Sequence, residues 1–273
     1  MKDAKEKQGN QSVRKLFQLV ECLAQGRTTL RLQEIAARTG LPPATALRYL
    51  SALQQQGYVF QDRLSGRYAL TWRICGLGEA VRSHLSLRTL SQDVIGELPA
   101  VLESGICLVV EHEGQCMYLD CIYEPAAMGQ TLQRIGKQTP MHATSSGKLL
   151  LTGYSREQLD RLLSERGLPA LTGRTITTRA QLEGELERVR ERGWAMDDEE
   201  CEVGLRCVAV PVYDFTGRIA AAISAFGAAR QLTDAAIAQR ILPALRPAAA
   251  ELSRRMGAGP AAPCIKRPRP LAY

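Results

Sequence analysis

Apolar positions recur along this chain with two periods, and the switch between them divides it. From residue 12 to about residue 102 the period is helical. Val13, Leu16, Phe17, Val20 and Leu23 form one stripe, which predicts a helix over 12–24 with Ser12 as its N-cap and leaves residues 1–11 as a polar, disordered lead. Leu32, Ile35 and Ala36 give the next helix one apolar face. Gly40 can supply the positive φ of a tight turn, and Pro42-Pro43 suit the first turn of a following helix. There Leu47, Leu50 and Leu53 predict a second apolar stripe, packed against the first, while Thr45, Arg48, Tyr49 and Ala52 face the other way. The pattern is that of a helix-turn-helix, whose second helix can enter a DNA major groove, or of a helical hairpin that merely packs.

The segment beyond the second helix favours the first reading. Tyr58-Val59-Phe60 and Arg67-Tyr68-Ala69-Leu70 read as short strands around the turn residues Asp62 to Gly66, so a β-hairpin wing comes after the helices. Arg63 and Arg67 would put positive charge on that wing, and Ser51 a hydroxyl near a phosphate backbone. The winged module is expected over 12–73 and a helical connector over 74–102, with Leu87, Leu90, Val94 and Leu98 on one side and Pro99 kinking it.

From Ile106 the pattern alternates in short apolar runs. Ile106–Val110, Cys116–Asp120, Arg206–Val212 and Ile219–Phe226 read as strands, with turns at Glu113-Gly114 and over 214–217. Helices are expected at Gly147–Leu151, Arg156–Ser164, Arg179–Arg192 and from a Thr233 cap to about Met256. The chain is therefore read as α+β, with a mixed α/β sensor domain over 103–256 and a flexible, Gly-, Ala- and Pro-rich tail over 257–273.

Composition narrows the class. The 273 residues are 45% hydrophobic and 23% charged, as in a globular chain of one large or two ordinary domains. No signal peptide or membrane-spanning run is expected, which points to a cytoplasmic protein with no membrane partner. The formal charge of +7 is uneven: residues 1–80 carry twelve Lys and Arg against six Asp and Glu, and the tail adds +3, so the body is mildly acidic. A basic module on an acidic body suits one part meeting a polyanion. The eight Cys contain no C-x-x-C pair and are expected as reduced thiols; His112, Cys116 and Cys121 are read as packing residues in strands, so no metal or cofactor is expected.

The chemistry concentrates at Ser145-Ser-Gly-Lys148. Two hydroxyls, backbone N–H groups at a helix start and a nearby Lys148 suggest an anion site fit for a carboxylate, although Ser145 and Ser146 could serve only as an N-cap. The same four residues match S-x-x-K, an acyl-transfer nucleophile motif, but its S-D-N and K-T-G companions are absent. A phosphate loop would need Gly where His142 stands. No enzyme is therefore expected.

Several segments in order resemble the isocitrate-lyase-regulator (IclR) family of bacterial transcription factors: Glu34-Ile-Ala-x-x-Thr-Gly-Leu-Pro, Gly57-Tyr-Val, Tyr68-x-Leu70, Pro140-Met-His-Ala-Thr-x-x-Gly-Lys148, Thr175-Ile-Thr177 and Gly193-Trp-Ala-Met-Asp-Asp-Glu-Glu-x-x-x-Gly-Leu-Arg-Cys-Val-Ala-Val-Pro211. The resemblance implies a winged helix-turn-helix joined to a GAF-like effector-binding domain, acting as a homodimer or tetramer on double-stranded operator DNA. It also implies an effector site at Ser145, Ser146, Asp197, Cys207 and Ser224, with Phe226 departing from a small polar residue in some relatives. On their own residues, the run Asp197–Glu200 reads first as a solvated loop, and Cys207 reads equally as a core thiol. The expectation is a regulator sensing a small organic acid, with DNA contacts from Thr45, Arg48, Tyr49, Ser51, Arg63 and Arg67. The alternative is a DNA-binding architectural protein with no effector.

Overall fold

The computed structural model describes residues 2–25, 29–84, 86–123 and 135–259, without the side chains of 2–10 and 82–84. The chain divides into two compact units at Ser86/Leu87, inside the expected connector.

In the first unit, helices α1 (Lys2–Gln25), α2 (Leu32–Thr39) and α3 (Pro43–Gln55) precede the antiparallel hairpin of β1 (Val59–Gln61) and β2 (Tyr68–Leu70). Residues 2–11, expected to be disordered, continue α1 instead, and Ser12 is no cap; Lys, Glu, Gln and Ala there are good helix formers. The buried stripe of α1 is Leu19, Cys22 and Leu23, whereas Val13 and Phe17 face outward. On α3, similarly, Ala46, Leu50 and Leu53 are buried and Leu47 is exposed. Hydropathy favours the larger side chains, but a close helix crossing takes the small one. Gly40 has φ +67° and Pro43 opens α3, as the turn requires. Ile35, Leu30, Val59 and Tyr68 close this core, with Leu30 bridging Tyr68 beside the hairpin. Helix α4 (Arg73–His84) comes next, with Leu77 and Val81 exposed.

The second unit is a six-stranded antiparallel sheet in the order β5-β4-β3-β8-β7-β6. Its strands are β3 (Gly105–His112), β4 (Gln115–Ile122), β5 (Gln138–Pro140), β6 (Ala195–Asp198), β7 (Leu205–Tyr213) and β8 (Ile219–Ala228). Alternation assigns each face. Ile106, Leu108, Val208, Val210, Ala221, Ile223 and Ala225 meet α5 (Leu87–Ile95), α6 (Leu98–Leu102) and the C-terminal helix. The opposite set, Cys107, Val109, Cys207 and Phe226, meets α7 (Ser145–Leu151), α8 (Arg156–Arg166) and α9 (Arg179–Arg192). The expected connector is thus split: α5 and α6 belong to the core of the second unit, and Pro99 sits in the first turn of α6 rather than kinking a long helix. At the end, Thr233 caps α10 (Asp234–Ala236), which passes through a π turn, Ile237–Ile241, into α11 (Leu242–Arg255). Pro243 has no N–H for the carbonyl four residues back, consistent with the wider turn before it.

Helix α7 is buried over its whole length, lying in the layer that covers the sheet. It can lie that close because residue 147 is Gly: a Cβ there would stand 2.2–2.6 Å from the Met141 backbone. Gly147→Ala should lower unfolding stability by about 1–3 kcal/mol, since backbone cannot yield as a side chain tip can. Urea denaturation is the measurement, and an unchanged midpoint would show that α7 has room to shift.

Candidate functional site

Two surfaces carry the candidate chemistry, one in each unit. On α3, Arg48 is exposed opposite the buried Leu50 and Leu53, with Ser51 half-buried beside it. Thr45 is half-buried on the flank. Tyr49 is less available than its sequence position suggests: it packs on the core of this unit, and a hydrogen bond with Ser12, then Arg48, holds its phenol below the ordinary value. The Arg48 guanidinium lies 5.1 Å from the Tyr49 ring centroid, a cation–π contact that steadies Arg48. On the wing, Asp62 Oδ1 accepts from the N–H groups of Leu64 and Ser65 and shapes a turn that leaves Arg63 exposed at its tip. Arg67 is otherwise placed. Its Nη1 donates to the Thr29 carbonyl at 2.6 Å and lies 3.5 Å from Glu34, so it fastens the wing to α2 instead of presenting a bare charge.

In the second unit, Ser145, Ser146, Asp197, Cys207 and Ser224, separated by up to 79 positions in the chain, line one cavity together with Cys107, Tyr118, Thr144, Cys201 and Phe226. Alternation on β3, β7 and β8 turns Cys107, Cys207, Ser224 and Phe226 to the α7 side. Ser145 Oγ and Ser224 Oγ are 3.3 Å apart. The free volume is about 10 Å³, room for about one water. Phe226 accounts for part of that tightness: its ring fills the space where a side chain at Gly105 would stand, and it packs edge-to-face with Tyr123, the ring centroids 5.3 Å apart.

The helix cap and the cation fall differently from expectation. Thr144, not a serine, caps α7: its Oγ1 accepts from Gly147 N at 3.1 Å, leaving Ser145 and Ser146 as the first helical residues with hydroxyls turned to the cavity. Lys148 is not an anion-binding group. It is 1% exposed and its Nζ donates to Glu200 Oε1. The same bond occupies the amine that an S-x-x-K mechanism would use as base.

The acidic run alternates with the pleat of β6. Asp198 points outward to Arg206 at 2.5 Å and Arg174 at 2.9 Å. Asp197 points inward, 1% exposed, and Oδ1 accepts from the N–H groups of Glu200 and Cys201. Burial raises the Asp197 carboxyl to about 6 against those two hydrogen bonds, and it raises Glu200 despite Lys148. Thr175 Oγ1 donates to the Glu200 carbonyl at 2.6 Å and ties the run to the loop before α9. Sequence reasoning does not single out Cys107, Tyr118, Thr144 or Cys201 as part of this site. For Cys107 a signal exists, since it shares the inward phase of its strand, and for Thr144 another, since it directly precedes Ser145; Tyr118 and Cys201 are brought in by the tertiary fold.

A winged helix-turn-helix followed by an antiparallel-sheet domain with a small cavity is the architecture of a DNA-binding transcriptional regulator. The chain belongs to the IclR family: the IclR helix-turn-helix domain matches residues 12–63 and the bacterial transcriptional regulator IclR C-terminal domain matches 79–254. It is 30% identical to the HTH-type transcriptional regulator XynR of Escherichia coli K12, over 90% of this chain and 97% of that protein. A putative IclR transcriptional regulator from Silicibacter sp. TM1040 shares the fold, with TM-score 0.74 at 24% identity over 91% and 96% of the two chains. The inducer-binding domain of a double mutant of the PobR transcription factor from Acinetobacter, solved in complex with 3-hydroxybenzoic acid, matches with TM-score 0.58 at 28% identity over 62% of this chain and 98% of that one. No helix of the described residues is long and apolar enough to cross a membrane.

Asp197 makes stability pH-dependent in a defined direction. A carboxyl raised on folding binds more protons in the native state, so its contribution is fully present below about pH 4 and is lost as pH rises through about 6. Asp197→Asn keeps the acceptor oxygen and removes the buried charge. Its stability relative to the parent should be near zero at pH 4 and reach about 2–3 kcal/mol in favour of the variant at pH 7. Denaturant unfolding across pH 4–8 reads this, and a difference independent of pH would show that Asp197 titrates as an ordinary carboxylate.

Proposed function

We propose that this regulator binds a small hydroxylated organic acid in the second unit and answers by changing its grip on operator DNA. The observation that carries the reading is the cavity: hydroxyls from α7 and β8, a carboxyl from β6 and an aromatic wall meet in one small enclosed space. Among the described residues lining it none is Lys or Arg, so an effector carboxylate would be received by hydroxyl and backbone N–H donors at Ser145 and Ser146. Asp197 would accept from an effector hydroxyl, and Phe226 and Tyr118 favour a flat or aromatic body. The 3-hydroxybenzoic acid held by the PobR domain has this combination of groups. At about 10 Å³ the cavity must widen to admit such a molecule, so binding would select a more open population of the domain. An architectural protein without effector would have little use for these polar groups packed around a cavity.

On DNA, Arg48 is proposed to read a base edge, Thr45 and Ser51 to contact groove or phosphate, and Arg63 to meet the backbone from the wing. Tyr49 and Arg67 would act mainly by holding Arg48 and the wing in place. The chain is proposed to work as a homodimer or tetramer, and exposed Trp72, just before α4, with Leu77 and Val81 along it, are apolar surface suited to a second copy.

Two measurements test the reading. Arg48→Ala should weaken specific operator binding by about 1–3 kcal/mol and relax preference at one position per half-site, whereas Arg63→Ala should lower affinity evenly and flatten the salt dependence. Equal affinity and preference for Arg48→Ala in titrations on selected DNA would remove it from the groove. A thermal-shift panel of hydroxylated aliphatic and aromatic acids should find one that stabilises the parent. Calorimetry should then show that acid bound about 0.5–3 kcal/mol more weakly by Ser146→Ala. No stabilising acid, or equal affinity in the variant, would place the effector or its carboxylate elsewhere.

A further inference from the structure

One thiol of the cavity wall, Cys107, is paired with a second thiol behind it, and effector binding does not explain the pair. Cys107 on β3 and Cys121 on β4 are register partners across the antiparallel ladder, with their sulfurs 2.7 Å apart. Directly opposed residues in such a ladder have Cα atoms about 4.5 or 5.5 Å apart, both within the range a disulfide spans. The pairing depends on an irregularity. Tyr118 opposes Val109, but Asp120 opposes Leu108, so Leu119 is an extra residue bulged out of register. Without the bulge Asp120 would stand opposite Cys107. With it, Asp120 turns to the other face and lies 3.4 Å from Arg88, and Cys121 turns to the cavity face beside Cys107.

The two thiols differ in access. Cys107 is 1% exposed and lines the cavity, while Cys121 is half-buried at the sheet end. The other thiol of β4, Cys116, is fully buried against Thr144, and burial pushes it up to about 12, which keeps it protonated and inert.

We propose that Cys107 and Cys121 are a reversible redox modification site that responds to hydroperoxides. The Cys121 thiolate attacks the terminal peroxide oxygen, the O–O bond breaks, and the alkoxide or hydroxide leaves and takes a proton. Cys121 is then a sulfenic acid. The Cys107 sulfur attacks it, the S–O bond breaks, water leaves, and a disulfide remains. Overall two thiols are oxidised and one hydroperoxide is reduced to an alcohol, or to water from hydrogen peroxide, with one further water formed. A thiol or dithiol reductant reverses the change by exchange. Because Cys107 is part of the wall, the bond would form at the edge of the cavity proposed above to hold the effector.

The test is hydrogen peroxide treatment of the full chain, alkylation of remaining thiols, and cleavage after glutamate. Cleavage after Glu103, Glu111, Glu113 and Glu124 separates peptide 104–111, with Cys107, from peptide 114–124, with Cys116 and Cys121. The expected product is these two peptides joined, in a chain that still runs as a monomer on a non-reducing gel, with two thiols lost to alkylation and both regained after dithiothreitol. The joined pair should persist in Cys116→Ser and vanish in Cys121→Ser. Cys121→Ala serves equally if the serine variant does not fold. Absence of the joined pair, its survival in the Cys121 variants, or only irreversible sulfinic and sulfonic products would overturn the proposal.

Discussion

The second unit depends on one buried ion pair. Helix α7 is a seven-residue segment buried at every position, and one of those residues is a lysine. Burying an unpaired ammonium would cost far more than a helix this short could return, so Glu200 must be held within reach of it. That requirement organises the acidic run. Asp197 takes the Glu200 and Cys201 N–H groups, Thr172 and Thr175 donate to the carbonyls of Glu199 and Glu200, and Arg206 and Arg174 pin Asp198 outside. Removing one partner would leave the other charge buried, a cost of about 3–5 kcal/mol for such pairs. With Lys148 committed to Glu200, the serine hydroxyls are the part of α7 that remains turned to the cavity.

The cavity inherits its chemistry from that arrangement. Asp197 is a structural acceptor for the turn and a polar wall group at once, and its burial outweighs the two turn hydrogen bonds, which raises its carboxyl to about 6. A group in this state can accept from a hydroxyl when ionised and donate when protonated. A ligand carboxylate arriving beside it favours the protonated form. On the proposed reading, acid binding would therefore be linked to proton uptake through this one side chain.

Most of the scaffold is legible in the sequence, because alternation on β3, β7 and β8 and helical spacing on α2 are direct imprints of which face meets a core. The turn at Gly40-Leu41-Pro42-Pro43 is legible for the same kind of reason: only certain residues tolerate its backbone. The departures share a different cause. Hydropathy points Leu47, Val13 and Phe17 inward, yet the helix crossings take Ala46 and Leu19. Arg67, Tyr49 and Lys148 read as available for ligands because charge and aromaticity say nothing of a partner distant in sequence; Thr29, Ser12 and Glu200 already hold them. The five cavity residues implied by family resemblance do converge, but Tyr118 and Cys201 join them through tertiary packing that spacing alone does not encode.

The sheet also sets how a change at the cavity can leave it. On β3, Cys107 and Val109 face α7 while Ile106 and Leu108, one residue away, pack with α5, α6 and α11; on β8, Ser224 and Phe226 alternate with Ile223 and Ala225 in the same way. A strand cannot move on one face only. Widening the cavity by displacing β3 or β8 must shift the apolar side chains that seat Ile95 and Leu102, and close packing transmits that shift instead of absorbing it. Helix α5 begins at Leu87, directly after the division between the two units, so the segment that feels the far side of the sheet is the one joined in sequence to the DNA-binding unit. A single layer of strands thus separates the cavity from that junction. Coupling through it requires two packings of α5 and α6 on the sheet that differ in their fit to the open and closed cavity.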